Sequence, residues 1–356
     1  MIKVGIIGCG RIADQHINHI SNIADCEIIG VCDREILMAK QVSERYRVKR
    51  YYADVGKLLE EAHPDVVHIT TPPQSHFDLG KFCLESGCHV YIEKPFALNA
   101  DEVEKLIGLA TEKDLKITVG YNAQFSNVSK EMRDLVKGGF LGGPPLHMES
   151  TWCYDLRDEH YAKTLLEDKS NWIWKLPGKL LQNILPHSLS KIVEFLPGDS
   201  PKVIAHGSTS AFLRGIGITD IVDELRVIIY DGNCTAYLTF SSQFGPSLRQ
   251  FRIYGPQNSI VIDEHHQTLI KLENEKYKSY LNYIIPPRIF AKQYRANSIN
   301  NIKKFLQRDL YADYGMRFLI ESFYRSITEN TPVPIPYREI LSTAKIMDDI
   351  FNQIET

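Results

Sequence analysis

Residues 1–13 read MIKVGIIGCGRIA, and this stretch decides the fold of the first part of the chain. The apolar, mostly β-branched residues 2–7 are typical of a buried strand, and residues 12–23 have the length of a helix. A short glycine loop, Gly8-Cys9-Gly10, joins them. A strand, a tight glycine turn and a helix in this order are typical of the first segment of a parallel sheet.

The same alternation continues to about residue 120. Further strand-like runs lie at 27–32, 65–70, 89–92 and 116–119, and segments of helical length lie at 35–45, 76–85 and 101–113. Strands that are apolar along their whole length are buried on both faces, because helices cover both sides of a parallel sheet. The sequence therefore predicts an α/β domain with a doubly wound parallel sheet.

After residue 121 the pattern changes. Strand-like runs at 203–207, 224–230, 234–241, 250–254 and 259–262 are separated by turn residues, and helical patterns return at 299–307, 316–329 and 337–354. This predicts an α+β domain on a mainly antiparallel sheet. A chain of 356 residues is long enough for two domains, which we expect at 1–122 and 123–356. The C-terminal helices are also candidates to pack back on the first domain.

Composition excludes several classes of protein. The formal net charge is −3, so the chain lacks an overall basic field for nucleic acid or anionic lipid. The seven cysteines include no CxxC pair, which favours reduced thiols over a metal site. The N-terminus is unlike a signal peptide, and no stretch has the apolar length of a membrane span. We expect a cytoplasmic protein without a metal ion, a nucleic-acid partner or a membrane partner.

The glycine loop and the end of the second strand predict a dinucleotide site. Gly8 suits the tight turn, and Gly10 leaves room for the backbone to approach a pyrophosphate at the helix N-terminus. Ala13 takes the place of a third small residue. Asp33 ends the second strand, where a carboxylate binds the ribose 2′-hydroxyl and repels a 2′-phosphate. NAD is the expected cofactor, with NADP as the alternative because Arg34 follows Asp33.

Two polar segments follow later strands of the predicted parallel sheet. Residues 70–76 read TTPPQSH, and residues 93–95 read EKP. In open α/β sheets, ligands bind at the carboxyl ends of the strands. Lys94 at this edge can donate a hydrogen bond to a substrate oxygen, and its neighbours can lower its pKa towards acid–base use. The alternative is a solvated lysine at a strand end.

The segments 8–13, 70–76 and 93–95 together resemble the Gfo/Idh/MocA family of sugar and polyol dehydrogenases, in its motif order and spacing. The resemblance covers the N-terminal domain firmly and the remainder more loosely. It implies a Rossmann domain, a second domain with an open sheet, and a cis Lys94–Pro95 bond. The residues that it implies at the cofactor are Gly8, Gly10, Arg11, Ile12, Asp33, Arg34, Thr71, Pro72, His76, Glu93, Lys94 and Asn122.

A second-domain motif of the family matches residues 177–187, PGKLLQNILPH. Family members carry Asp and His four residues apart on one helix face. Here the matching residues are Asn183 and His187, so the implied catalytic residues are Lys94, His187 and Asn183. His187 would exchange the proton of the substrate hydroxyl. The alternative interpretation is that His187 is a buried histidine with a structural role only. Asn183 departs from the family, because an amide orients a hydroxyl but cannot act as a base.

Aromatic and polar residues give a wider set of substrate candidates. Tyr121 and Asn122 match the family and are implied to line the floor under the nicotinamide, whereas Gln124 stands where arginine is frequent. The segment 152–174 is rich in rings that could stack on a sugar or nucleotide-sugar; a loop or subunit contact is the alternative. The candidates are Tyr121, Gln124, Trp152, Tyr154, Arg157, Trp172 and Trp174.

The resemblance implies a dehydrogenase or reductase that moves a hydride between NAD and a secondary alcohol or ketone of a sugar, nucleotide-sugar or cyclitol. A non-catalytic dinucleotide-binding regulator or sensor is the main alternative, and a reductase of another cyclic diol or an imine is a closer one. The family commonly assembles through its second-domain sheet, so a homodimer or homotetramer is expected.

Overall fold

The computed structural model describes residues 1–156, 166, 168–274, 276–307 and 314–354. Arg157 therefore lies outside the described residues. The contacts within the chain divide it into two compact units. The first unit contains 1–122, 175–177 and 316–348, and the second contains 123–174, 178–315 and 349–356. No helix in the described part of the chain is long and apolar enough to cross a membrane.

The first unit is built on a parallel sheet of six strands in the order β3-β2-β1-β4-β5-β6. The strands are β1 (Ile2–Ile7), β2 (Cys26–Cys32), β3 (Tyr51–Tyr52), β4 (Val66–Ile69), β5 (His89–Ile92) and β6 (Ile117–Val119). Strand order reverses between β1 and β4, which is the point where open α/β sheets bind ligands. The predicted parallel α/β architecture is confirmed.

Helices connect these strands, and their ends follow from local sequence. They are α1 (Arg11–Ile20), α2 (Ile36–Tyr46), α3 (Val55–Ala62), α4 (His76–Glu85) and α5 (Ala100–Glu112). Asn99 begins α5 by accepting a hydrogen bond from the Glu102 backbone N–H at 2.9 Å. Gly87 follows α4 with φ of +86°, a conformation that glycine adopts without strain.

The second unit contains a mixed sheet in the order β13-β12-β11-β7-β10-β9-β8. Its strands are β7 (His147–Cys153), β8 (Lys202–Ser208), β9 (Glu224–Asp231), β10 (Cys234–Ser241), β11 (Arg249–Tyr254), β12 (Ser259–Asp263) and β13 (Thr268–Leu272). Only the β7–β10 pair is parallel, so the prediction of a mainly antiparallel sheet is confirmed. Its helices are α6 (Asn127–Lys137), α7 (Lys179–Val193), α8 (Ala211–Gly215) and α9 (Ile285–Leu306).

One face of this sheet is buried and packs against α7. The alternating residues Val227, Ile229, Ala236, Leu238 and Phe240 are all on the buried face. The sequence alternation did not indicate which face this would be. The structure settles that question for the second unit.

Side-chain amides of α9 cover the free edge of β13. Gln293 binds both the N–H and the C=O of Lys271, at 2.8 and 3.0 Å. Asn297, one turn later, binds the N–H and C=O of Leu269 at 3.0 and 2.9 Å. The two amides imitate a neighbouring strand, so the backbone groups of this edge are paired without a further strand.

The last helices are α10 (Tyr314–Thr328) and α11 (Tyr337–Ile354). Most of both belongs to the first unit, which resumes at Met316 and ends at Asp348. Within that unit, the Ala100 backbone N–H donates to the Asp348 carboxylate at 2.8 Å. The first unit is therefore assembled from segments far apart in the sequence.

Candidate active site

The glycine loop between β1 and α1 has the geometry of an anion site. Gly8 has φ of +95°, and a Cβ there would lie 2.8 Å from atoms of Thr70 and Thr71. Gly10 begins α1, and a Cβ on it would meet no atom within 4 Å. No side chain caps this helix N-terminus. Its backbone N–H groups and the open space at Gly10 fit a bound pyrophosphate.

Asp33 lies beside this loop at the end of β2. One carboxylate oxygen accepts a hydrogen bond from the Cys9 backbone N–H at 2.8 Å, and the other accepts from the Glu35 N–H at 2.9 Å. The side chain is half-buried, and its neighbour Arg34 is exposed. An oriented carboxylate here fits the diol of an adenosine ribose. Arg11 is also exposed, and Ile12 is half-buried.

His76 connects the segment 70–76 to Pro95 of the segment 93–95. Its ring is fully buried, with Nδ1 2.8 Å from the Pro95 carbonyl oxygen and Nε2 2.9 Å from the Thr71 carbonyl oxygen. Burial lowers the pKa of this imidazole. Thr71 is half-buried and Pro72 exposed, so a cofactor can reach both; Gln74 and Ser75 of the same segment are half-buried as well. The contact between His76 and the Thr71 carbonyl oxygen helps to fix the backbone of this segment.

The Lys94–Pro95 peptide bond is cis, as expected. Lys94 is half-buried, and burial lowers its pKa while the charge of Glu93 raises it. Glu93 is buried and accepts a hydrogen bond from His16 Nε2 at 2.9 Å. Burial raises the pKa of Glu93, but the hydrogen bond from His16, with the charge of Lys94, brings it below its usual value. The corner thus presents an ammonium group beside an ionised carboxylate.

Tyr121 and Asn122 follow β6 in the first unit. Tyr121 is buried, hydrogen-bonds Thr343, and has a raised pKa because of burial. Asn122 is half-buried, and its side-chain oxygen accepts a hydrogen bond from the Tyr91 hydroxyl at 3.3 Å. Gln124 belongs to the second unit, where its buried amide donates to the Ser190 carbonyl oxygen at 2.9 Å. Gln124 thus has a structural partner in α7.

In the second unit, α7 carries the residues of the second motif. A Cβ on Gly178 would lie 2.2 Å from the Phe351 ring, so only glycine fits where this helix begins. After the first residue of α7, only Asn183 and His187 are half-buried; the rest of the helix is buried. Their spacing places both on the one accessible face. The His187 ring stacks on Trp152, with centroids 5.2 Å apart and planes at 8°.

Cationic side chains surround Trp152. The guanidinium carbon of Arg249 lies 4.8 Å from the ring centroid, and the Lys191 ammonium lies 5.6 Å from it. Lys191 is buried in an ion pair with Glu264, which neutralises its charge. Arg249 is half-buried and has no ion-pair partner among the residues that the structure describes. Sequence reasoning missed Arg249, because its position opposite Trp152 appears only in the β7–β11 register.

The other aromatic candidates have mixed surroundings. Trp174 is half-buried, and its indole N–H donates to the Leu166 carbonyl oxygen at 3.1 Å. The Lys169 ammonium lies 5.2 Å from the same ring. Tyr154 and Trp172 are half-buried. The contacts of Trp174 are those of a packed loop, whereas Trp152 contacts the predicted catalytic histidine.

Residues 2–121 match the family model described as an oxidoreductase family with an NAD-binding Rossmann fold. The chain carries the NAD-binding domain of the Gfo/Idh/MocA family over these residues. Its first unit carries the NAD-binding fold of that family.

Characterised Gfo/Idh/MocA relatives are distant. The chain is 22% identical over 313 residues to myo-inositol 2-dehydrogenase of Thermotoga maritima, covering 86% of this chain and 87% of that enzyme. It is 32% identical over 149 residues to UDP-N-acetylglucosamine 3-dehydrogenase of Acidithiobacillus ferrooxidans, where the match spans 42% of this chain and 44% of that enzyme.

Solved structures show the same fold over the whole length. The WlbA dehydrogenase of Bordetella pertussis, crystallised with NADH and UDP-GlcNAcA, matches with a TM-score of 0.77 at 15% identity. The match covers 99% of this chain and 95% of that chain. At this identity the likeness concerns the fold, so the second unit also has the fold of these structures.

Proposed function

We propose that this chain is an NAD-dependent dehydrogenase or reductase that transfers a hydride between the nicotinamide and a secondary alcohol or ketone of a sugar, nucleotide-sugar or cyclitol. The observation that carries the proposal is Lys94. It lies half-buried at the carboxyl end of β5, after an ionised Glu93, in the unit that carries the dinucleotide loop. A sensor has no need of such a lysine.

The proposed chemistry divides between cofactor and protein. NAD, when bound, accepts or returns the hydride. Lys94 would donate a hydrogen bond to the reacting oxygen and stabilise its developing negative charge. His187 would take up or return the hydroxyl proton, and the Asn183 amide would orient a neighbouring hydroxyl. These roles are supported by the family motif and by the accessibility of both side chains on α7.

The expected cofactor preference is NAD over NADP. Asp33 is ionisable and already oriented by two backbone N–H groups. Its charge would repel a 2′-phosphate, while its remaining oxygen lone pairs can accept from ribose hydroxyls. The exposed Arg34 beside it keeps NADP as the alternative.

A substrate with a phosphate or carboxylate suits the second unit best. Arg249, which has no ion-pair partner in the described part of the chain, brings a positive charge next to Trp152, whose ring stacks on His187. Aromatic faces bind sugar rings, and a guanidinium binds phosphate or carboxylate. A nucleotide-sugar has both features, in agreement with the substrate named for the relative from Acidithiobacillus ferrooxidans.

A substrate screen tests the proposal. The protein is mixed with NAD and a panel of nucleotide-sugars, free sugars and cyclitols, and absorbance is followed at the reduced-nicotinamide band. Growth of that band with one member supports a dehydrogenase and names its substrate class. If NAD binds in the same sample, no member of the panel is oxidised and no corresponding ketone is reduced by NADH, the proposal of a dehydrogenase fails. A non-catalytic dinucleotide-binding regulator then takes its place. Oxidation of NADH by a cyclic imine would instead select the imine reductase.

We also propose a homodimer or homotetramer formed through the outer face of the second-unit sheet. That face carries large exposed apolar side chains, including Ile204 at 56% and Tyr237 at 50% exposure. An apolar patch of this kind on a sheet is typical of a subunit interface. Light scattering on Tyr237→Asp tests it: the variant should be smaller than the wild-type assembly, and an unchanged mass would refute this interface.

The cytoplasm is the proposed location. All seven cysteines are free thiols, and burial raises the pKa of Cys9 and Cys32 to about 12. Such thiols stay protonated and unreactive at neutral pH. This use of cysteine suits a reducing compartment.

A further inference from the structure

A chain of buried polar side chains runs through the first unit and ends beside Lys94. The Tyr324 hydroxyl lies 2.8 Å from His68 Nε2, and His68 Nδ1 lies 2.8 Å from His16 Nδ1. His16 Nε2 lies 2.9 Å from the Glu93 carboxylate. Both histidines are fully buried, and Tyr324 and Glu93 are 3% and 5% exposed. Three of the four residues come from α10, β4 and α1, and Glu93 directly follows β5, so folding brings this row of side chains together.

The partners of these bonds allow one arrangement of protons when both histidines are neutral and Glu93 is ionised. A carboxylate only accepts, so His16 must donate from Nε2. Neutral His16 then accepts at Nδ1, and His68 must donate from its own Nδ1. That leaves His68 Nε2 as the acceptor for the Tyr324 hydroxyl. Every bond has one proton, and all of them point towards Glu93.

Packing holds the two imidazoles in these orientations. The Tyr91 ring stacks on His68, with centroids 4.7 Å apart and planes at 7°. The same ring meets His16 edge-on at 5.1 Å and 83°. Tyr91 is itself fully buried. Rotation of either imidazole would therefore displace a packed aromatic ring.

A merely structural role does not explain His68. Position 68 lies inside a parallel strand that is buried along its length, where valine or isoleucine packs well without any hydrogen bond. Burial keeps the pKa of His68 well below its ordinary value, so the ring is neutral and able to donate from one nitrogen. A neutral imidazole that accepts from the Tyr324 hydroxyl has its other nitrogen available to donate to His16.

We propose that Tyr324 and His68 are positioning residues that hold His16 as the Nε2–H donor to Glu93. This donor keeps Glu93 ionised, and the carboxylate in turn supports the ammonium of Lys94. The other titratable groups near Glu93 in the described part of the chain are Tyr91 on β5 and His76 on α4. The inference rests on the proposed function for its link to turnover, but the proton arrangement itself does not.

The arrangement is tested without any substrate. Histidine nitrogen-15 spectra of the whole chain are recorded at neutral pH, with His16→Gln and His68→Gln used to assign the two rings. The proposal expects His16 protonated at Nε2 alone and His68 at Nδ1 alone. His16 protonated at Nδ1, or on both nitrogens, would overturn it whether or not the protein is an enzyme.

The link to Lys94 is tested by pH profiles of substrate turnover. His68→Val removes the donor to His16, so the pKa of Glu93 should rise and the acid limb of kcat/KM should move up by about one pH unit. His68→Gln should restore the limb, because its amide can donate to His16. His89→Val removes another half-buried histidine, from β5, and should leave the limb unchanged.

A double variant separates this inference from the proposed function. In a Glu93→Gln background no carboxylate is left to titrate, so adding His68→Val should no longer move the acid limb. A shift of equal size in both backgrounds would contradict the positioning role while the dehydrogenase stands. Should no substrate turn over, the proposed function fails, and the spectra alone decide the proton arrangement.

Discussion

At the scale of single residues, the two glycines of the β1–α1 loop have separable roles. Gly8→Ala combines a positive φ with a Cβ 2.8 Å from Thr70 and Thr71, so we expect a loss of roughly 2 to 4 kcal/mol of unfolding free energy. Gly10→Ala meets nothing within 4 Å and has an ordinary extended φ of −79°. Its stability should change by less than about 0.5 kcal/mol.

Cofactor binding should respond strongly to Gly10→Ala, although the stability of this variant should hardly change. Its new methyl group occupies the space that a pyrophosphate would approach, so NAD affinity should fall roughly tenfold or more. Thermal unfolding with and without NAD measures both effects on the same samples. If Gly10→Ala kept the full thermal shift produced by NAD, the pyrophosphate would not lie at this loop.

At the scale of elements, the amides of α9 can be tested against a neighbour on the same helix. Asn297→Ala removes both hydrogen bonds to Leu269 and should cost about 1 kcal/mol or more. It should also increase self-association, because an unpaired strand edge recruits other chains. Asn300→Ala alters an exposed position of α9 and is the matched control.

Urea unfolding and size-exclusion chromatography measure the two effects. Equal stability and equal elution for Asn297→Ala and Asn300→Ala would show that the amides do not protect the edge of β13.

The strands and helices of the first unit follow from sequence where their pattern is local. Strand β1 and its glycine loop, α4 and α5 were predicted to within a few residues, because apolar runs and capping residues mark them. Strand β3, with two residues, is too short for any periodicity. Strand β7 was missed because the polar residue Ser150 occupies a buried position between Met148 and Trp152 and interrupts the apolar alternation.

At the scale of the whole molecule, buried histidines make stability depend on pH. Burial lowers the pKa of His68 and His76, whereas an unfolded histidine titrates near about 6.5. Between the two pKa values the unfolded chain binds protons that the folded chain does not. Stability should therefore fall as pH drops below about 6.5, by roughly 1 kcal/mol per pH unit for each histidine.

The variant His68→Val isolates one of these contributions. Urea unfolding of both proteins between about pH 5 and pH 7 should give a slope of stability against pH that is smaller in the variant by roughly 1 kcal/mol per unit. Identical slopes would mean that His68 is not held neutral in the folded protein.

Folding of the whole chain determines which site residues can be identified from sequence alone. The glycine loop, Asp33 and Lys94 lie in contiguous motifs, so their residue types and spacing identify them. His16, His68 and Tyr324 meet only through folding, because His16 and His68 are 52 positions apart and His68 and Tyr324 are 256 positions apart. Arg249 likewise depends on strand register. No local pattern contains such pairings. The site residues themselves stay predictions until they are tested.

The most direct measurement compares wild type with Lys94→Met, using the substrate that the panel identifies. Methionine keeps an apolar stem in the half-buried position and removes the ammonium group. NAD affinity and turnover are measured on the same preparations. The account predicts a roughly 100-fold or larger loss of turnover with NAD affinity within about twofold of wild type. Turnover that survives the loss of this ammonium would contradict the assignment of Lys94 and the mechanism built on it.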